Sequence, residues 1–246
     1  MLKFPRRRRI YLMRHAEAAY VDENGVVTDD PRNVPLTSLG REQAQTQGRV
    51  LADIQPDRII CSGLPRTVET LSIVMQAAQL DSPPMVELVP ELEEIQGMKG
   101  NRQWPPANGQ SSAEVLAEIA NPWAHGATPN AKFLGGEAFA DFSARVSIKW
   151  DEILAQQNWQ TLLMVLHGGV NRMIFNHVTG LDWRGDLCFE QDNCCINIID
   201  VDDTLPARFL IRGVNITAYN LSKHGIVLTN MEATAARLAE QHLETQ

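Results

Sequence analysis

Ile10-Tyr11-Leu12-Met13-Arg14-His15-Ala16-Glu17-Ala18 is an apolar run of strand length that stops at a cation and an imidazole. Such a run suits a strand buried on both faces. Open α/β sheets bind their ligands just beyond the carboxyl ends of their strands. Arg14 and His15 therefore stand where such a sheet places its chemistry. Thr161-Leu162-Leu163-Met164-Val165-Leu166 repeats the arrangement and ends in His167-Gly168-Gly169. Two strands ending in histidine predict one site with two imidazoles.

Outward from these strands, apolar runs and periodic stretches alternate in βαβα order. Thr37 caps a predicted helix that runs through Gly40, Ala44 and Val50 to Asp53. Arg58–Cys61 reads as a strand, and Pro65 opens a helix whose apolar pattern spans Arg66 to Ala78. Met85–Val89 is a third strand. Phe139, Phe142, Val146, Trp150 and Ile153 fall on one helical face, which reads as a core stripe. A helix is expected from Gly169 to Val178. Cys195–Val201 and Arg208–Arg212 are further strands, with Val214–Tyr219 as a separate candidate partner. The last helix, Glu232–Leu243, either docks on the domain or pairs with a second copy of the chain. This alternation predicts an α/β three-layer sandwich, a mostly parallel central sheet with helices on both faces. The whole of 1–246 reads as a single domain. Residues 91–135 interrupt it with Gly97, Gly100, Pro105, Pro106, Gly109, Pro122, Gly126 and Pro129. Ser111 and Glu114 are spaced as a capping box at the start of one short helix there. This stretch reads as an irregular insertion over the strand C-terminal ends, a cap or lid.

Bulk composition narrows the function classes. Of 246 residues, 44% are hydrophobic and 21% charged, enough for a full-sized core. The net charge of −8 argues against a broad nucleic-acid or membrane surface. Lys3 and Arg6-Arg7-Arg8-Arg9 are the local exception. They read as a solvated arm before the first strand, with steering of anionic substrates as the functional alternative. Cys61, Cys188, Cys194 and Cys195 form no CxxC pair, which fits a reducing cytoplasm. No apolar run approaches a signal peptide core or a membrane span. Among the six histidines, His15, His125, His167, His177, His224 and His242, no metal-binding spacing occurs, so no metal and no cofactor are expected. His125 reads as a lid histidine without a chemical role, and His224 and His242 as surface residues.

Each strand end contributes a reactive group. The first gives Arg14 and His15. The turn Ser62-Gly63-Leu64-Pro65-Arg66 starts a helix with an arginine. The third strand leads into Glu91-Leu92-Glu93-Glu94, and the later one into His167-Gly168-Gly169. This set suits a phosphate ester. Guanidinium forks match phosphate oxygens and stay charged. A neutral imidazole can attack phosphorus, a second can donate to the charge that builds on the oxygens, and a carboxylic acid can protonate the leaving alcohol. Glycines after His167 let backbone N–H groups approach the anion.

These residues resemble the histidine phosphatase superfamily in its phosphoglycerate-mutase-like branch. The resemblance rests on Arg14-His15-Ala16, on Leu36-Thr37-Ser38-Leu39-Gly40-Arg41-Glu42-Gln43-Ala44 and on Ser62 to Thr70. It continues through Gly135-Gly136-Glu137 with Arg145-Val146, and His167-Gly168-Gly169-Val170-Asn171-Arg172, in order across about residues 10–200. The resemblance implies that His15 is the phosphorylated nucleophile and that Arg14, Arg66, His167 and Gly168 hold the phosphoryl group. It implies an acid in a Leu-x-Glu pattern, which points to Glu94, with Glu91 and Glu93 as competing choices. The chain departs from mutase members at Ala16-Glu17-Ala18-Ala19-Tyr20 and Glu94-Ile95-Gln96-Gly97, which favours hydrolysis over mutase transfer. Gly97-Met98-Lys99-Gly100 is a loose version of a block common in family phosphatases. The expectation is a cytoplasmic, metal-independent phosphomonoesterase for a small phosphorylated substrate. The alternatives are mutase-type phosphoryl transfer or a non-catalytic phospho-ligand binding module on the same fold.

Overall fold

The computed structural model describes residues 7–20, 28, 30–80, 82–97, 111–125, 128, 130–181, 189–206 and 208–244. Six strands lie in the order β3-β2-β4-β1-β5-β6. They are β1 (Arg8–Arg14), β2 (Arg58–Cys61), β3 (Val86–Leu88), β4 (Thr161–Leu166), β5 (Ile196–Val201) and β6 (Phe209–Ile216). β1 sits inside the sheet, parallel to β4 through Ile10 opposite Leu162 and antiparallel to β5 through Ile10 opposite Ile199. β2 runs parallel to both β3 and β4, so β5 is the one reversed strand of the sheet.

Side-chain alternation divides the apolar strands between two cores. Ile10, Leu12, Leu162, Met164 and Leu166 face α5 (Phe139–Ala155) and α6 (Gly168–Thr179). Tyr11, Met13, Leu163 and Val165 face α1 (Ser38–Val50) and α2 (Pro65–Ala78). Covering both faces explains why the central strands read as continuous apolar runs. The stripe Phe139, Phe142, Val146, Trp150 and Ile153 is buried along its length. Thr37 caps α1, its hydroxyl accepting from Gly40 N at 2.9 Å.

Two expectations need correction. The segments around Arg208–Arg212 and Val214–Tyr219 are not two strands. They form the single strand β6, because register shifts opposite Ile196–Ile199 absorb the irregularity without a turn. The N-terminal arginines are not a solvated arm either. Arg9 forks onto Asp200 at 2.7 and 3.1 Å, and Arg7 pairs with Asp202 at 2.8 Å. Arg8 is buried. It donates to the carbonyls of Leu154 and Gln156 at the end of α5 and stacks over Trp159 at 4.3 Å. These arginines fasten β1 to β5 and α5 at the strand end away from His15, roughly 23 Å along β1 from it. Lys3 and Arg6 lie outside the described residues.

Three helices complete the described structure. The capping box at Ser111 and Glu114 starts α3 (Ser112–Ala120), which is followed by the single turn α4 (Pro122–His125). The C-terminal helix α7 (Asn230–Glu244) docks against α3. Val115, Ile119, Ala235 and Leu238 form a small separate core between them. A second capping box, Thr229 with Glu232, starts α7. No described helix is long and apolar enough to cross a membrane.

Candidate active site

The chain leaves β1 toward α1 on one face and leaves β4 directly into α6 on the other. Neighbouring strand ends whose connections diverge in this way open a crevice. The register pairs Arg14 with Leu166, so His15 and His167 emerge side by side. Their ring centroids are 5.2 Å apart with planes at 64°, and both side chains are buried.

The two imidazoles hold different hydrogen-bond states. His15 Nδ1 lies 2.7 Å from the carbonyl oxygen of Ala16. A carbonyl only accepts, so Nδ1 carries the proton and Nε2 keeps a lone pair. Burial, reinforced by the charges of Arg66 and Arg14, pushes the His15 pKa well below 6.5. The ring is therefore neutral, with a nucleophilic Nε2. His167 Nε2 lies 2.8 Å from Ser62 Oγ, while its buried Nδ1 has no partner. Burial, with the charge of Arg66 next in size, also pushes its pKa well below 6.5. Ser62 Oγ also lies 3.0 Å from Thr67 Oγ1, so its single proton serves either Thr67 or Nε2; when it serves Nε2, His167 carries a free Nδ1–H donor.

Arg66 sits in the first turn of α2, beyond Pro65. Its Nη1 donates to Pro31 O at 3.2 Å, its guanidinium carbon lies 5.7 Å from the Tyr20 ring centre, and its Nε is buried without a partner. Arg14 donates through Nη1 to the Gln191 carbonyl, and its Nε is likewise buried and unpartnered. Gly168 lets the Arg14 side chain lie against the start of α6, since an added Cβ would stand 3.3 Å from its Nε. Two buried guanidinium donors and one buried imidazole nitrogen, none with a partner, thus belong to side chains gathered at His15. Leaving such groups unsatisfied is costly, and an anion relieves the cost.

Tertiary contacts separate the three glutamates. Glu91 pairs with Lys149 at 3.1 Å and Glu93 with Arg32. Glu94 turns inward and accepts from Gly169 N at 2.9 Å, at the first turn of α6, and from Ile95 N at 3.1 Å. Arg145 holds this turn by donating to the carbonyls of Glu91, Glu93 and Glu94, while Glu137 fixes its guanidinium. Arg14, His15, Arg66, Glu94, Gly168 and Gly169 all line one cavity of about 750 Å³. His167 lies behind them against His15.

Sequence reasoning missed several residues here. Gln191 and Asn197 form a buried amide network under Arg14. Asn197 donates to Gln191 Oε1 at 2.8 Å and to Leu12 O at 3.1 Å. Trp123 and the α7 residues Asn230, Met231, Thr234 and Leu238 line the same cavity. None carries a local signal, because each reaches the site from a distant part of the chain. The side chain of His125 and residues 98–100 lie outside the described residues.

Comparisons with known proteins identify the family and the fold. The pattern of the histidine phosphatase superfamily (branch 1) matches residues 10–212. The chain is similar to the adenosylcobalamin/alpha-ribazole phosphatase of Escherichia coli (strain K12). The two are 30% identical over 195 residues, 79% of this chain and 90% of the other. Its fold matches the alpha-ribazole phosphatase of Shigella flexneri with a TM-score of 0.66 and 28% identity, covering 84% of this chain and 96% of that one. It also matches a mycobacterial glucosyl-3-phosphoglycerate phosphatase with a TM-score of 0.63. Here identity is 20%, and the match covers 85% of this chain and 99% of that one.

Proposed function

This chain belongs to branch 1 of the histidine phosphatase superfamily and is a phosphatase of that type, and we propose that it hydrolyses a small phosphomonoester with His15 as the nucleophile. The observation that carries the assignment of roles is the neutral His15 Nε2 beside three buried, unpartnered nitrogens, Arg14 Nε, Arg66 Nε and His167 Nδ1. In the first step, Nε2 attacks phosphorus in line as the ester P–O bond breaks, and the Glu94 carboxyl group gives its proton to the departing oxygen. In the second, Glu94 takes a proton from water as that water attacks phosphohistidine. Inorganic phosphate leaves and His15 is regenerated. Arg14, Arg66 and His167 stabilise the charge on the equatorial oxygens throughout, which is what phosphoryl transfer chiefly asks of a protein.

Buried free thiols at Cys61, Cys194 and Cys195 support a place in the reducing cytoplasm. The deciding experiment is hydrolysis of a panel of phosphate esters by the wild type and His15→Ala, with EDTA present throughout. Turnover by the wild type in EDTA, together with loss of at least about a thousandfold in the variant, is the expected result. Turnover that persists in His15→Ala overturns the assignment, and turnover that vanishes in EDTA overturns the metal-free mechanism.

A further inference from the structure

The cavity is far larger than a phosphoryl group, and its lining is mixed in chemistry. The charged clamp supplies one part. Ile119, Leu134, Met231 and Leu238, which belong to the small α3–α7 core, supply an apolar part. Arg172 and Arg32, which also line the cavity, are each committed to a carboxylate, Glu190 at 2.9 Å and Glu93 respectively. A second anionic group on the substrate would have to compete with those carboxylates.

Trp123 is held by its neighbours. Its ring packs edge-on against Phe139 at 5.3 Å and stacks on Phe142 at 6.5 Å. A Cβ added at Gly169 would stand 3.3 Å from the Trp123 ring and 2.3 Å from Glu94 Oε1, so the indole borders the carboxyl group that serves the leaving oxygen. Whatever is attached to that oxygen lies beside the indole.

A further wall is α7, which three separate contacts hold in place. Asn230 Nδ2 donates at 3.1 Å to the Gln191 carbonyl, the same oxygen that accepts from Arg14. Arg237 pairs with Glu17 at 2.8 Å, two residues beyond His15. Ala235 and Leu238 pack on Val115 and Ile119 of α3. The family match ends at residue 212, eighteen residues before α7 begins, so this wall is not part of the shared pattern.

We infer that α7 is the specificity wall of this active site, and that it selects phosphomonoesters whose leaving alcohol carries a bulky aromatic or apolar body. The inference rests on the phosphatase reading above. An apolar body desolvates against Met231 and Leu238, whereas a short polar alcohol leaves that part of the cavity empty.

The test compares 2-(1-naphthyl)ethyl phosphate with ethyl phosphate. Both release a primary alcohol, so intrinsic leaving-group chemistry is matched. The wild type is expected to favour the naphthyl ester in kcat/KM by at least about tenfold. Met231→Glu, which sets a carboxylate in the wall, and Thr234→Trp, which fills it, are each expected to remove most of that preference. Ala236→Trp, on the exposed face of α7, is expected to preserve it. Equal use of the two esters by the wild type, or a preference untouched by both wall variants, overturns the inference. Calorimetric binding of the two corresponding phosphonates separates this inference from the reading beneath it. Failure to hydrolyse either ester, with the naphthyl phosphonate still bound more tightly in a manner dependent on α7, refutes the phosphatase and keeps the wall. Equal binding of the phosphonates refutes the wall.

Discussion

At the scale of single residues, the site depends on keeping two buried imidazoles neutral. His15 and His167 both have pKa values well below 6.5, through burial and neighbouring guanidinium groups. An unfolded chain returns each to about 6.5. Below that pH the unfolded state binds protons that the folded state refuses, so the stability present above pH 6.5 is lost as the pH falls. The slope reaches about 1.4 kcal/mol per pH unit for each histidine. Urea unfolding in phosphate-free buffer at pH 7 and pH 5.5 should show this loss in the wild type and a smaller one in His167→Asn. Identical losses would mean that His167 titrates alike in both states. Glu94 teaches a different lesson at this scale. Three glutamates within four positions look equivalent in the sequence. Lys149 and Arg32 bind two of them, and the α6 N-terminus receives the third.

At the scale of elements, α1 and α6 are placed by close approaches that their glycines permit. α1 meets α2 at Gly48, where a Cβ would stand 2.7 Å from the Val74 carbonyl. The start of α6 meets the acidic turn at Gly169. Gly169→Ala gains about 1 kcal/mol in helix propensity. That gain cannot offset a 2.3 Å collision with Glu94 Oε1, so the carboxylate must move. The expected outcome is a well-folded variant whose turnover falls about tenfold or more on alkyl phosphates and less on aryl phosphates, which need little protonation to depart. Equal losses on both classes would show that displacing Glu94 does not impair proton delivery. The apolar periodicity of α5 and the caps of α1 and α3 were legible in the sequence, because helix faces and caps are local patterns. The continuity of β6 was not, since a register shift depends on the partner strand.

At the scale of the whole molecule, fold and site are linked through unsatisfied polar nitrogens. Arg14 Nε, Arg66 Nε and His167 Nδ1 are buried without hydrogen-bond partners in the described structure. Inorganic phosphate or vanadate that meets them binds only the folded state and stabilises it by mass action. At a hundredfold excess over its Kd, phosphate should raise stability by about 2.7 kcal/mol, and the Tm shift should shrink sharply in Arg66→Ala. A Tm that ignores phosphate would show that these nitrogens do not form an anion site. The sequence by itself determined the alternating α/β architecture, two strands that end in histidine, and the positions of Arg14 at a strand end and Arg66 at a helix start. Each of these follows from local periodicity or from a residue's position just after a strand. The tertiary structure alone decided which glutamate faces the cavity, that the N-terminal arginines fasten the sheet, and that a helix more than two hundred residues after His15 walls its pocket. Those outcomes depend on contacts between segments far apart in the chain, and no local pattern encodes a distance in space.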